Sequence, residues 1–273
     1  MLRFNIAIFN PAKQNIYIDQ LKVLLQSIWD LYQDTVEIAI YYTQVDQKEI
    51  EEIKNKFPKI LIKEREIKYK YRKQNVPLPA QRNNLWYYLL EDCNKQYQVF
   101  IDADMLLLRK IDHFFDDSFD IGYTFKTDVD EVLNKPINCG IILVNNTLKA
   151  REFMKYWTDE TNKKLDSDDP FGSGWGSADQ KTLGETLGTR KKKKYQKIIT
   201  RNGVRFKGFP CKILNNILSP SLDDPSVHIV HFKGSWRNIL IEGKWEKSLR
   251  TRMENDLDLY NLWKKTLEKY NSH

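Results

Sequence analysis

An apolar segment running from Val99 to Leu108 is broken once, at Asp102 and Asp104. Val99 to Ile101 reads as a buried strand, and apolar character resumes from Met105 to Leu108. Two carboxylates in such surroundings are costly unless their charge is met. Carboxylates at i and i+2 of an extended segment point to the same side, so both can serve one divalent cation or its water shell. Hard oxygen donors suit Mg or Mn, ions that often hold substrate phosphates as well. The bland alternative is a turn between two strands, where Asp is common.

What precedes this stretch decides its setting. Arg3 to Phe9 reads as a strand that ends at the turn signal Asn10-Pro11. Tyr17, Leu21, Leu24, Leu25, Ile28 and Trp29 form a helical stripe. Val36 to Tyr42 is a second strand, and Asp46 with Glu49 starts a second helix that Pro58 stops. Ile60 to Ile67 is a third strand candidate. The order β-α-β-α-β predicts an α/β fold with a mixed, mostly parallel sheet flanked by helices. A helix over Gln81 to Asn94 then leads into the strand that ends on Asp102. In open α/β sheets, ligands bind at the carboxyl ends of strands, so the position of the acids tells as much as their chemistry.

Further along, Asp120 to Phe125 and Ile137 to Val144 read as strands, and Leu148 to Thr161 as a helix. Asp166 to Ser177 is a loop rich in Asp, Gly and Ser, after which Ala178 to Leu187 resumes helical spacing. Ile198-Ile199, Val204 to Phe206 and Val227 to Val230 are short strands, and Trp245 to Tyr270 is a charged terminal helix. The 273 residues suit one domain, 1–273, with 240–273 as a helical extension at its carboxyl end.

The formal net charge of +7 favours anionic partners. Much of the excess lies in Lys63 to Lys73 and Arg190 to Lys194. A nucleic-acid groove would need aromatics interleaved with basic residues over a larger surface than Lys68 to Lys73 provides, so no nucleic-acid partner is expected. Cys93, Cys139 and Cys211 are too far apart for a zinc site or a disulfide framework, which fits a reducing compartment. There is no leader-like start and no apolar run long enough to span a bilayer. A cytoplasmic location without a transmembrane segment is therefore expected.

Four segments are best considered together: Ile101-Asp102-Ala103-Asp104-Met105, Asn138-Cys139-Gly140-Ile141-Ile142-Leu143-Val144-Asn145, Ser177-Ala178-Asp179-Gln180 and His231-Phe232-Lys233-Gly234-Ser235-Trp236. Their order resembles that of GT-A glycosyltransferases of the glycogenin and bacterial lipopolysaccharide galactosyltransferase type, family 8 and its relatives. The resemblance extends from the first strand to about Arg237. It implies that Asp102, Asp104 and His231 hold Mn (or Mg) through the diphosphate of a nucleotide sugar donor. It also implies that Arg82 contacts sugar or diphosphate, that Asn138 and Gly140 line the sugar pocket, and that Asp179 and Gln180 lie near the reacting face. Asn10, at the end of the first strand, falls where the base is held.

The likeness has a gap. Gly234-Ser235-Trp236-Arg237 stands where the family has Gly-x-x-Lys-Pro-Trp, so Lys233, Gly234 and Arg237 are candidates for the diphosphate without a match position for position. Phe171 to Gly176 resembles a lid, with Trp175 able to stack on a sugar. By resemblance the chain is a metal-dependent glycosyltransferase, DxD-dependent and hexosyltransferase-like. It would move a sugar from a UDP-linked donor to a saccharide or other hydroxyl acceptor with retention. Two alternatives stay open: a nucleotidyltransferase acting on sugar phosphates, for which Asn10 to Asn15 lacks the Gly-rich loop, and a basic polyanion-binding protein without catalysis.

Overall fold

The structure, a computed structural model, describes residues 1–9, 15–72, 76–126, 136–167, 177–188, 197–217, 220–232 and 253–272. Strands β1 (Leu2–Phe9), β2 (Glu37–Thr43) and β3 (Leu61–Glu64) alternate with helices α1 (Asn15–Tyr32) and α2 (Gln47–Lys56). Asp46 caps α2 by accepting from the Lys48 backbone N–H, as its residue type favours. A short 3₁₀ turn and α3 (Arg82–Glu91) lead to β4 (Tyr97–Ile101) and, three residues on, β5 (Met105–Leu107). Then follow β6 (Ile121–Phe125), β7 (Ile137–Asn145), α4 (Leu148–Leu165), α5 (Ala178–Leu187), β8 (Ile199–Arg201) and β9 (Val204–Pro210). The one-turn α6 (Cys211–Leu214), β10 (Ile229–His231) and α7 (Met253–Asn271) complete the described elements.

Eight strands form one sheet in the order β3-β2-β1-β4-β7-β6-β9-β8. The first four run parallel, as the opening β-α-β-α-β pattern demands. Beyond β4 the direction mixes, because β7 is antiparallel to both β4 and β6, and β9 returns parallel to β6. β5 and β10 pair separately, antiparallel, with His231 opposite Met105.

Burial on both faces accounts for the continuous apolar strands. One face of the sheet carries Phe4, Ile6, Ile8, Val99 and Ile101 against Leu21, Leu24 and Ile28 of α1 and Ile50 and Ile53 of α2. The other carries Tyr41, Phe100, Tyr123 and Ile142 against Leu85, Trp86 and Leu89 of α3 and Phe153 and Trp157 of α4. A third cluster joins Leu106, Val230 and Phe232 to Leu259 and Trp263 of α7. Between Tyr123 and Thr124 the β6–β7 register slips, leaving Cys139, Gly140 and Ile141 unmatched on β6. Such irregularities re-aim side chains and often border functional sites.

The sequence reading differs from the fold mainly at element ends. The third strand stops at Glu64 rather than Ile67, and the last strand covers 229–231 rather than 227–230. In each case pairing, not apolar content, sets the limit: β3 pairs with β2 only as far as Glu64, and β10 begins where Ile229 meets Leu107. The basic segment after β3 exposes Lys68, Lys70 and Arg72, and it is tied down by two acids. Arg65 meets Asp92, and the Arg72 backbone N–H and Nε donate to Asp166 at 2.8 and 2.9 Å. Of the terminal helix expected over 245–270, residues before 253 lie outside the described residues, and Met253–Asn271 is helical. No helix among the described residues is long and apolar enough to cross a membrane.

Candidate active site

Parallel β1 and β4 end at the same edge of the sheet, and antiparallel β7 begins there. That edge gathers most of the chemistry-bearing residues. The Asp102 backbone N–H donates to the Gly140 carbonyl at 2.8 Å, which extends the β4–β7 ladder by one residue. Asp104 lies in the turn before β5, where its carbonyl accepts the Phe232 N–H at 2.8 Å. That bond and the β5–β10 pair bring His231 back across the chain to the two acids.

Ligand atoms of Asp102, Asp104 and His231 all lie within 4.8 Å of one another. His231 Nε2 is 3.1 Å from Asp104 Oδ1, with the imidazole 1% and the carboxylate 12% exposed. Metal–oxygen bonds of ~2.0–2.6 Å place ligand atoms at most ~5 Å apart around one ion, so the span fits a shared cation. Two carboxylates and one imidazole form a donor set of the kind Mn and Mg accept, with room for phosphate oxygens.

Arg82 opens α3 and connects the metal candidates to α5. Its Nη1 bonds Asp102 Oδ1, and its Nη2 bonds both Asp179 Oδ2 and, at 2.8 Å, the Cys139 carbonyl. The guanidinium carbon sits 4.6 Å from the centre of the Trp86 ring, a cation–π support. Burial alone would lower the Arg82 guanidinium, but Asp102 and Asp179 outweigh it and hold it above its usual range. Burial alone would raise the Asp179 carboxyl, and Arg82 together with Ser177 holds it below the ordinary value. Asp179 Oδ1 takes the Ser177 hydroxyl, and its backbone carbonyl takes Trp157 Nε1 at 2.9 Å. The start of α5 is thus pinned to α4. Gln180, beside it, is also buried.

Gly140 has a definite steric reason. A Cβ there would stand 2.7 Å from Met105 Cε and 2.8 Å from His231 Cε1. The imidazole therefore lies on the bare Cα of β7. Asn138 Oδ1 turns back to accept the Gly140 N–H at 3.0 Å. His228, expected to be structural, meets the Lys110 carbonyl at 2.9 Å and stacks edge-on against Phe114, on the other side of β10. Asn10, Lys233, Gly234, Arg237 and the lid-like 171–176 lie outside the described residues.

A cleft of about 160 Å³ opens above the acids, lined by Ala7, Ile8 and Phe9 of β1, Tyr17 and Gln20 of α1, Arg82, and Asp102 to Asp104. Three contributors escaped sequence reasoning. Gln20 is 2% exposed, and its Nε2 has no hydrogen-bond partner among the described residues. Asn215 and Thr124 stand behind His231. Gln20 was not among the apolar residues of the α1 stripe and looked like any polar helix residue; Asn215 and Thr124 carry no spacing signal at all.

The fold is that of solved GT-A glycosyltransferases. Among solved structures, galactosyltransferase LgtC, crystallised with donor and acceptor sugar analogues, superposes with a TM-score of 0.56 at 12% identity, over 98% of this chain and 95% of its own. Glycosyltransferase GlyE of Streptococcus pneumoniae TIGR4 gives 0.59 at 12% identity over 99% of this chain, which spans 63% of the length of GlyE. A glycosyltransferase involved in glycosylation of the major capsid of PBCV-1 gives 0.51 at 14% identity, covering 89% of this chain and 99% of its own. No protein-family model matches the sequence, and no curated protein matches it at sequence level.

Proposed function

We propose that the chain is a metal-dependent glycosyltransferase that moves a sugar from a nucleotide diphosphate sugar, UDP-linked, to a hydroxyl acceptor with retention. The observation that carries this reading is the convergence of Asp102, Asp104 and His231 beneath a cleft at the carboxyl end of β1 and β4. A GT-A scaffold supplies the precedent, and LgtC is a galactosyltransferase of that shape.

Asp102, Asp104 and His231 are the residues that would hold Mn or Mg. The bound ion would neutralise charge developing on the leaving diphosphate. Arg82 is rigidly braced between Asp102 and Asp179, so it offers fixed positive potential at the same place without reorganising. Asp179 has one oxygen on Arg82 and the other on Ser177. A carboxylate held in this way is a poor covalent nucleophile, so with retention taken from the family resemblance, same-face displacement fits better than a covalent glycosyl intermediate. Asn138 and Gly140 would border the sugar, and Gln180 would face the acceptor side. Asn10, Lys233, Gly234 and Arg237 complete the proposed donor contacts on sequence grounds.

The test is nucleotide release from a panel of UDP- and GDP-sugars with Mn or Mg, alongside thermal shift with UDP. Metal-dependent stabilisation by UDP together with turnover of one donor supports the assignment. Metal-independent behaviour, or Asp102→Asn retaining full transfer, overturns it. The polyanion-binder alternative predicts instead salt-sensitive oligonucleotide binding without metal-dependent UDP stabilisation.

A further inference from the structure

We infer that Asn215 is a positioning residue for His231: it fixes the ring tautomer so that Nε2 presents a lone pair toward Asp102 and Asp104. The inference rests on the metal-site reading above but can fail separately from it.

The chain of assignment starts at a group that can only accept. The Asn138 backbone carbonyl takes the Thr124 hydroxyl at 2.6 Å and faces Asn215 Nδ2 at 3.4 Å. Thr124 has one hydroxyl proton, and it is spent there. Thr124 Oγ1 must then accept from Asn215, whose Nδ2 lies 2.8 Å away. Both contacts place the nitrogen of the Asn215 amide on the Asn138 side. Its oxygen therefore faces His231 Nδ1, at 2.8 Å. An amide oxygen only accepts, so Nδ1 carries the proton and Nε2 of a neutral ring is left as an acceptor. That acceptor stands 3.1 Å from a carboxylate oxygen of Asp104, a pairing that a shared cation makes favourable.

Water has no access to substitute for this amide, since Asn215 is 0% exposed. The backbone holds the two partners in register. Asn216 N–H donates to the Ile229 carbonyl at 3.0 Å, and His231 N–H donates to the Asn216 carbonyl at 2.9 Å. Asn215 itself follows the single turn of α6, in a non-helical conformation with φ −157° and ψ 50°. The slipped register of β6 against β7 brings Thr124 opposite Asn138, and their paired groups receive the amide. Groups behind a ligating His that set its tautomer typically change metal affinity 10- to 100-fold when removed.

The experiment is a long-range ¹H–¹⁵N spectrum of the full chain with saturating Mg, a diamagnetic ion, at pH ~8.5. Loss of one signal set in His231→Gln assigns the residue among the four histidines. The expected result is the Nδ1–H tautomer for His231; an Nε2–H pattern in the unaltered chain overturns the inference without any variant. Mn affinity is then measured by calorimetry. Asn215→Leu should lose the tautomer preference and bind Mn ~10- to 100-fold more weakly. Asn215→Asp, which keeps an acceptor for Nδ1–H, should restore much of both. Unchanged tautomer and affinity in Asn215→Leu overturn the inference. His231→Gln binding Mn as well as the unaltered chain overturns instead the metal-site reading, and leaves the tautomer result standing.

Discussion

Two aspartates at opposite strand ends of the same sheet have been treated in contrasting ways. Asp120 enters β6, is 5% exposed, and is closed on all sides by its own chain. It accepts the Arg205 N–H at 2.8 Å, Arg205 Nε at 3.2 Å and Nη2 at 3.1 Å, and the Thr147 hydroxyl at 2.9 Å. It ties β6, β9 and α4 together. Asp102 leaves β4 at the other end and shares the Arg82 guanidinium with Asp179, while Asp104 meets an imidazole. There the ligand atoms converge on one another beneath a cleft. A carboxylate saturated by donors locks a fold, whereas acids and an imidazole brought within 4.8 Å form a place for something else.

The sharpest way to break that contrast is to neutralise each acid. Asp102→Asn is expected to reduce transfer at least ~100-fold. Its melting temperature should fall little, because Asp179 still pairs with Arg82 when Asp102 is neutral. Asp120→Asn should do the reverse: normal turnover per folded molecule, and a stability loss of about 1–2 kcal/mol. That figure is well below the cost of cutting a fully buried pair, since Arg205 is 43% exposed. Chemical denaturation paired with nucleotide release reads both. Equal effects on both quantities in both variants would dissolve the distinction.

Two glycines repeat the test with backbone in place of charge. A Cβ at Gly140 meets Met105 and the His231 ring, and a Cβ at Gly122 meets Leu143 Cβ and Phe209 Cε2, both at 2.9 Å. Each Gly→Ala is expected to lose about 1–3 kcal/mol by overpacking. Only Gly140→Ala should also weaken Mn binding, ~10-fold or more, since only it displaces a candidate ligand. Calorimetry with Mn on both variants separates steric cost from site damage.

Gln20 offers an intermediate case, a buried amide whose Nε2 has no partner among the described residues. An unsatisfied buried donor costs about 1–3 kcal/mol. Gln20→Leu is therefore expected to gain about 1 kcal/mol of stability and to weaken nucleotide affinity measured by calorimetry. A stability gain with unchanged affinity would show that the amide does not read the nucleotide.

How much of this was legible beforehand divides along physical lines. The parallel half of the sheet announced itself, because β1, β2 and α1 carry strong periodicity and Asp46 is a ready cap. The acids at 102 and 104 were legible because carboxylates interrupt an apolar run only for cause. His231 and Arg82 needed the resemblance, since a lone His or a helical Arg has no periodic mark. The direction of β7 could not be read, because pairing partners beyond β4 depend on long-range packing. Asn215 was illegible for the same reason: its role exists only once Thr124, Asn138 and His231 are assembled from three elements. The steric meaning of Gly140 likewise appears only with the imidazole in place.

The smallest expected effect concerns acid stability and returns to the closed acid. Burial alone would raise the Asp120 carboxyl, yet donors from Arg205 and Thr147 hold it below the usual carboxylate range. Asp116 nearby is pulled to about 2, against burial, by Lys207 and Ser118. A carboxyl depressed in the folded state contributes stability that is present above its unfolded pKa, ~3.9, and is lost as pH falls through the folded value. Between about pH 4 and 2 the unfolded chain binds more protons than the folded one at these two sites, so stability must drop across that window. Asp120→Asn removes one of the two and should flatten the slope of unfolding free energy against pH there, with no change above pH ~5. Urea melts at half-unit pH steps measure it. An unaltered slope in Asp120→Asn would mean that the Arg205 pair is already open in solution, and the contrast with the Asp102 end would narrow accordingly.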